Sequence, residues 1–94
     1  MAEKVITLPE AFTINRGLTL EETKTVGPGI FFGPISISNN EASGIIKSYL
    51  LNKDLTGGQE IIFQEFFSIL PPGVIYSRTI LNGYPSDWAK IGSI

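Results

Sequence analysis

The chain contains no cysteine and no histidine, and these two absences narrow what it can do. Without cysteine, neither a disulfide nor a thiolate metal ligand can form. Without histidine, the chain lacks the commonest general base, the commonest metal ligand and the side chain that titrates near neutral pH. We therefore expect a protein that is not an enzyme and that uses no metal ion and no cofactor.

Charge is also scarce. Charged residues make up 17% of the chain, and seven Lys and Arg residues stand against nine Asp and Glu residues. No basic patch is available to neutralise phosphates, so we expect no nucleic-acid binding. No apolar stretch approaches the roughly 18 residues of a membrane span, and no basic segment followed by an apolar run indicates a signal peptide. These features predict a protein made in a cytoplasm and used in an assembly.

The chain does contain enough apolar material for one small domain. Its 94 residues, 43% of them hydrophobic, leave no room for a second domain. A chain of this size buries only about two-thirds of its unfolded surface, and its few charges leave apolar area for contact with another chain. We predict an N-terminal arm or short strand over residues 1–17, containing Val5, Ile6 and Leu8, and a single β-rich domain over residues 18–94.

The first half of the predicted domain begins with a short helix and continues with strands. Residues 18–24 can form one or two helical turns with Asn15 or Thr19 as the cap, and the Gly-Pro-Gly at 27–29 ends them. From Ile30 the apolar residues alternate with a period of two, which predicts a strand over residues 30–37 that is interrupted at Gly33-Pro34. A loop over residues 39–44 and a second strand over residues 45–51 follow.

The second half contains one ambiguous segment and one clear strand. Residues 59–70 have the period of an amphipathic helix but the Ile and Phe content of a strand, so both alternatives stay open from the pattern alone. Residues 74–81 alternate clearly, and Val74, Tyr76, Arg78 and Ile80 share one face. Asn82-Gly83 then predicts a hairpin turn, after which the chain returns through residues 88–91.

The order of these features resembles a known family. Phage tail fibres and the related R-type pyocins carry a compact repeat or terminal knob with this order of glycine, aromatic residues, Asn-rich loop, Arg-Thr strand and closing Trp. The matching residues are Gly29-Ile30-Phe31-Phe32, Asn39-Asn40-Glu41-Ala42-Ser43-Gly44, Ile45-Ile46, Phe63-Gln64-Glu65-Phe66, Ile75-Tyr76-Ser77-Arg78-Thr79, Asn82-Gly83-Tyr84 and Trp88-Ala89-Lys90-Ile91.

The resemblance implies an all-β knob, a small antiparallel sheet or sandwich with one short helix near its N-terminus, and it favours a strand for residues 59–70. It also implies a homotrimer in the tail of a virion, made in the cytoplasm of the host bacterium. Such knobs contact a host cell-surface polysaccharide or connect tail proteins. The sequence departs from the family at Ala89-Lys90, where a second Trp or a polar partner is usual.

Arg78 has two interpretations. As a functional residue it would contact the hydroxyls or the carboxylate of a ligand. As a structural residue it would stack on Trp88 or Tyr76 and pair with Glu65 or Asp87. The structural interpretation predicts that Arg78→Ala lowers the melting temperature.

The aromatic residues near the predicted hairpin are the other candidates for ligand binding. Aromatic faces stack on sugar rings, and Tyr and Trp each keep one polar group. Trp88 and Tyr76 also suit packing in the core, whereas Tyr84 lies at a hairpin tip. We expect a saccharide site, if one exists, to use mainly Tyr84, Asn82, Asp87 and Ser86.

Three functions remain open from the sequence. The first is a tail-fibre or tail-tip module that binds a cell-surface saccharide or another receptor. The second is a purely structural virion subunit, such as a baseplate, collar or connector protein, that binds only other tail proteins. The third is a small enzyme or enzyme-associated domain, which the absence of histidine and cysteine disfavours. A glycosidase pair of carboxylates is disfavoured in addition by the small size of the chain and its lack of an evident groove.

Overall fold

The structure, a computed structural model, describes residue 14 and residues 16–93, and it is almost entirely β. A 3₁₀ helix spans Glu22–Lys24. The strands that follow are β1 (Gly29–Ile37), β2 (Asn40–Leu50), β3 (Ile61–Leu70), β4 (Pro72–Leu81), β5 (Tyr84–Pro85) and β6 (Ala89–Ser93). They form one antiparallel sheet in the order β1-β2-β3-β4-β5, with β6 also paired to β4. The all-β prediction is confirmed; the predicted strand near Val5 and the cap Asn15 lie outside the described residues.

The hairpin between β1 and β2 corrects the predicted loop over residues 39–44. The chain turns at Ser38 and Asn39, whose φ angles are 48° and 69°, and β2 already begins at Asn40. Two consecutive residues with positive φ form the tight hairpin turn whose twist matches that of the strands. The predicted turn at Asn82-Gly83 has the same character, with φ angles of 49° and 86°, and is confirmed.

Pro34 does not interrupt β1, contrary to the prediction. The sheet edge beside β1 is contacted by the segment before the 3₁₀ helix: the Phe32 N–H donates to the Arg16 carbonyl at 3.1 Å, and the Leu18 N–H donates to the Phe32 carbonyl at 2.8 Å. Backbone groups alternate in direction along a strand, so the Pro34 nitrogen, two residues after that of Phe32, also points away from β2. Proline is tolerated there because the ladder with β2 loses no donor.

The ambiguous segment is a strand, β3, as the family resemblance predicts. Its side chains alternate between one deeply buried face and one half-buried face. We call the deeply buried side of the sheet the inner face; the core residues Ile35, Ala42, Ile46 and Phe66 lie there, with Tyr76 and Trp88 packed against them. We call the opposite side the outer face. Apolar residues stand on both faces of β3 because both faces are at least partly buried. For this reason the pattern of residues 59–70 also fitted an amphipathic helix.

The segment that contains the 3₁₀ helix covers the inner face. Leu18, Thr23 and Val26 are buried against the sheet. The segment is held by a reciprocal cap: the Thr19 N–H donates to the Glu22 carboxylate at 2.9 Å, and the Glu22 N–H donates to the Thr19 hydroxyl at 3.2 Å. The short helix near the N-terminus is therefore confirmed as a 3₁₀ helix; Thr19 makes the hydrogen bonds of a cap, although Glu21 is the residue that directly precedes the helix.

Candidate functional site

A row of polar side chains crosses the inner face at the centre of the sheet. Ser48 on β2, Gln64 on β3 and Arg78 on β4 are register partners on neighbouring strands, and all three are buried. Thr23, from the 3₁₀ helix, lies over this row and is also buried. We call these four residues the polar row.

The polar row is connected by hydrogen bonds. The Gln64 amide donates to the Thr23 carbonyl at 2.8 Å, and its carbonyl oxygen accepts from Nε of Arg78 at 2.8 Å. Nη2 of Arg78 donates to the same Thr23 carbonyl at 3.1 Å. Because buried polar groups are costly unless they are paired, these bonds fix the 3₁₀ helix to the centre of the sheet.

Trp88 completes the surroundings of Arg78. The guanidinium carbon of Arg78 lies 4.3 Å from the centroid of the Trp88 ring. The same ring contacts Phe66, at 5.9 Å between centroids, and Tyr76 packs on Phe66 from another side at 6.3 Å. Trp88 and Tyr76 are therefore parts of the core.

The predicted stacking of Arg78 on Trp88 is found, whereas its predicted pairing with Glu65 or Asp87 is wrong. Glu65 lies on the outer face, where its carboxylate accepts a hydrogen bond from the Tyr49 hydroxyl at 2.8 Å. Among the described residues, neither Glu65 nor Asp87 forms an ion pair with Arg78. The alternation of β4 and β3 explains the first case, because Glu65 is a register partner of Ser77 on the face opposite Arg78.

Arg78 is thus a buried cation whose hydrogen-bond acceptors are all neutral in this part of the chain. Burial lowers the pKa of Arg78 to about 10, so the guanidinium remains charged at neutral pH. Nε and Nη2 are occupied, and Nη1 has no hydrogen bond to a described residue. No buried side-chain nitrogen or oxygen in the described ranges lacks a hydrogen-bond partner.

Arg78 lines a cleft of about 370 Å³. We call it the Arg78 cleft. One wall is formed by the helix segment through Leu20, Thr23 and Lys24, and the opposite wall by residues 85–88; Ser36 and Arg78 complete the lining. The Asp87 carboxylate lines the cleft and makes no hydrogen bond or ion pair with the residues that the structure describes.

A second, shallower pocket of about 480 Å³ lies at the β4–β5 hairpin. Tyr84, which is 80% exposed, lines this hairpin pocket. Asn82 and Ser86 line it too, but their side chains have structural roles: Asn82 accepts from the Glu60 N–H at 2.9 Å, and Ser86 accepts from the Thr79 N–H at 3.1 Å. Pro85 and Ser86 line both this pocket and the Arg78 cleft.

The seven residues predicted for a ligand site therefore separate into three groups. Arg78, Tyr76 and Trp88 belong to the core, although Arg78 and Trp88 also line the cleft, and Asn82 and Ser86 shape the turns. Tyr84 and Asp87 are the two whose side-chain polar groups are exposed without a partner among the described residues. The prediction missed Thr23, Lys24 and Gln64; only Gln64, a polar residue in an apolar strand, carried a signal in the sequence.

Two other kinds of site were sought in the described part of the chain. No group of three or more His, Cys, Asp or Glu side chains gathers there as metal ligands. Within the same residues, no helix is long and apolar enough to cross a membrane. Comparison of the chain with protein-family models, with curated proteins and with solved structures finds no match.

Proposed function

We propose that this chain is a non-enzymatic module of a bacteriophage tail that binds a saccharide on the host cell surface. The saccharide would bind at the end of the sheet that carries the β4–β5 turn and Tyr84, which we call the hairpin end. The observation that carries the proposal is the 80% exposed ring of Tyr84, held at a hairpin tip beside an open pocket. The family resemblance supplies the phage tail and the virion location.

The chemistry around Tyr84 supports a sugar ligand. A flat aromatic ring with a hydroxyl at its end can stack on the apolar face of a pyranose and hydrogen-bond to its edge. Leu81 and Pro85 add apolar area to the pocket, and Asp87 nearby offers two carboxylate acceptors for neighbouring hydroxyls. The turn around Tyr84 is held by the bonds of Asn82 and Ser86, so little ordering is required on binding.

The outer face supports the homotrimer. Phe32, Ile45, Phe67 and Ile75 are successive register partners on β1, β2, β3 and β4, and they form one apolar row across the sheet. Phe32 is 40% exposed, and Ile30 beside it on β1 is 55% exposed. An apolar face of this kind suits contact with other copies of the chain around a fibre axis.

The same row favours a second candidate function. A structural virion subunit that binds only other tail proteins would also need a broad apolar face, and it would not need an exposed Tyr84. The two candidates differ in one respect. When other copies of the chain or other tail proteins cover the outer face, only the saccharide-binding module can still bind a ligand at the hairpin end.

A microbial glycan array tests the proposal. We expect the fluorescently labelled wild-type chain to bind at least one bacterial surface polysaccharide on the array, and to bind it through the hairpin end. Absence of binding to every polysaccharide, together with binding to purified tail proteins, would replace the proposal with the structural subunit.

A further inference from the structure

The lining of the Arg78 cleft contains a buried cation, Arg78, that forms no ion pair with a described residue. Arg78 and Lys24 contribute two cations and Asp87 one anion. The Lys24 ammonium lies 3.2 Å from the Glu21 carboxylate, and the two side chains are 40% and 80% exposed. A buried charge in a folded protein is ordinarily paired, so a guanidinium that lines a cleft and forms no ion pair with a described residue is a place where a ligand's anion would be stabilised.

We propose that the Arg78 cleft binds the carboxylate of an acidic sugar, a uronate unit of a surface polysaccharide. This inference rests on the proposed function and names the class of saccharide. The carboxylate would accept from Nη1 of Arg78, with the Lys24 ammonium near its second oxygen. The cleft volume of about 370 Å³ lies within the range of about 300–1,000 Å³ that small-molecule sites have.

The contacts of Arg78 with its neighbours fix the orientation of its guanidinium before a ligand binds. Trp88 on one side, and the bonds from Nε to Gln64 and from Nη2 to Thr23, hold the guanidinium plane in one orientation. A preorganised donor loses little conformational entropy when an anion arrives. Because the group is 7% exposed, its charge is also less screened by solvent than that of a surface arginine.

Asp87 favours a sugar over an acidic peptide as the source of the carboxylate. Its exposed carboxylate lines the same cleft and accepts no hydrogen bond from a described side chain. Vicinal hydroxyls of a sugar ring can donate to it, whereas a peptide carrying further carboxylates would be repelled. The cleft shares Pro85 and Ser86 with the hairpin pocket, so one polysaccharide can place a uronate against Arg78 and a neighbouring ring against Tyr84.

Nitrogen-15 NMR titration of the full chain with monosaccharides tests the inference. We expect galacturonate to shift the Trp88 indole N–H and the amides of Lys24 and Asp87, and galactose to bind at least about fivefold more weakly because it lacks the carboxylate. Equal binding of the two sugars would overturn the inference. N-acetylaspartate amide serves as the peptide probe, and binding of it as tight as that of galacturonate would also overturn it.

Two variants of cationic residues test the site, Lys24→Gln at its exposed rim and Arg78→Lys in the core. Lys24→Gln should weaken galacturonate binding about threefold or more and leave galactose unchanged, because a rim charge acts on the anion alone. Lys47→Gln, on the outer face, is the charge-matched control and should change neither. Arg78→Lys keeps the charge but removes Nη1, and it should weaken galacturonate at least as much as Lys24→Gln in a chain that still folds. Galacturonate binding that is indifferent to both variants would contradict the site.

The outcomes separate this inference from the proposed function. Binding to array polysaccharides that needs Tyr84, without any response to galacturonate, rejects the acidic-sugar site and leaves the saccharide-binding module intact. Absence of binding to all polysaccharides rejects the module itself.

Discussion

The guanidinium of Arg78 lies 4.3 Å over the ring of Trp88, ten residues later in the chain, and this contact joins the candidate site to the core. On its other side the Trp88 ring contacts Phe66 in the centre of the inner face. Arg78, the buried cation in the lining of the cleft, is therefore positioned by the same packing that stabilises the sheet. From this arrangement we expect Arg78 to contribute to stability as well as to the proposed anion site.

Replacing Arg78 by Ala should strongly destabilise the fold. The change leaves the Gln64 carbonyl oxygen without its donor at 2.8 Å and removes one of the two donors to the Thr23 carbonyl. Loss of a buried hydrogen-bond network of this kind costs roughly 3 kcal/mol in the free energy of unfolding. Urea denaturation, monitored by tryptophan fluorescence, measures this loss in the free energy of unfolding. Arg16→Ala, at an exposed arginine 4.0 Å from Glu22, is the control and should cost less than about 1 kcal/mol; similar losses in the two variants would contradict this account of Arg78.

Gly44 should not tolerate a methyl group. A Cβ built at Gly44 would overlap the Phe67 carbonyl oxygen, where the β2–β3 register shifts. Because this neighbour is backbone, Gly44→Ala must displace β3, and we expect a loss of roughly 2 kcal/mol or more. Gly27→Ala is the matched control, since no described residue other than its two chain neighbours comes within 4 Å of its Cβ position, and it should be neutral or slightly stabilising. Thermal unfolding of both variants decides, and an unchanged melting temperature for Gly44→Ala would be inconsistent with the close approach.

The cap at Thr19 should make stability depend on pH through Glu22. The hydrogen bond from the Thr19 N–H, then that with the Thr19 hydroxyl, and then the nearby Arg16 charge lower the pKa of Glu22 below its ordinary value. A carboxyl whose folded pKa is depressed contributes stability that is fully present above the unfolded pKa and is lost as pH falls through the folded pKa. The difference in urea midpoint between the wild type and Glu22→Gln should therefore shrink from pH 6 to pH 2.5. A difference that stays constant over this range would show that the Glu22 charge makes no contribution.

Size-exclusion chromatography with light scattering should report a trimer of about 31 kDa, three times the 10.3 kDa chain. Phe32→Ser removes an aromatic side chain from the apolar row of the outer face and should shift the mass toward that of the monomer. Leu55→Ser, at a residue that is 82% exposed in the β2–β3 loop, is the control and should leave the mass unchanged. A wild-type monomer at micromolar concentration would exclude the trimer.

The parts of the fold that the sequence predicted are those governed by local rules. Alternation over residues 74–81 gave the inner face of β4, and Asn82-Gly83 gave its turn, because period and positive φ are properties of a few neighbouring residues. The turn at Ser38-Asn39 was predicted as a longer loop because polar residues continue to Gly44. Those residues extend β2, since a strand with one exposed face accepts them.

The candidate site depended on contacts between residues that are distant in the chain. Arg78 bonds to Thr23, 55 residues earlier, and no spacing rule connects them. From the sequence we predicted acidic partners for Arg78. In the structure its partners are the side-chain amide of Gln64 and the backbone carbonyl of Thr23. It did identify Tyr84 at the hairpin tip, because turn chemistry alone fixes that position.

The most direct measurement is the ratio of glycan-array binding between two single tyrosine variants. Tyr84→Ala removes the exposed ring at the hairpin end, and Tyr49→Ala removes a 44% exposed ring on the outer face. The account predicts that Tyr84→Ala binds the polysaccharides to which the wild type binds at least about fivefold more weakly, since loss of a stacking contact costs on the order of 1–1.5 kcal/mol. Tyr49→Ala should retain wild-type binding. Equal retention by the two variants, or a loss confined to Tyr49→Ala, would contradict the placement of the saccharide site at the hairpin end.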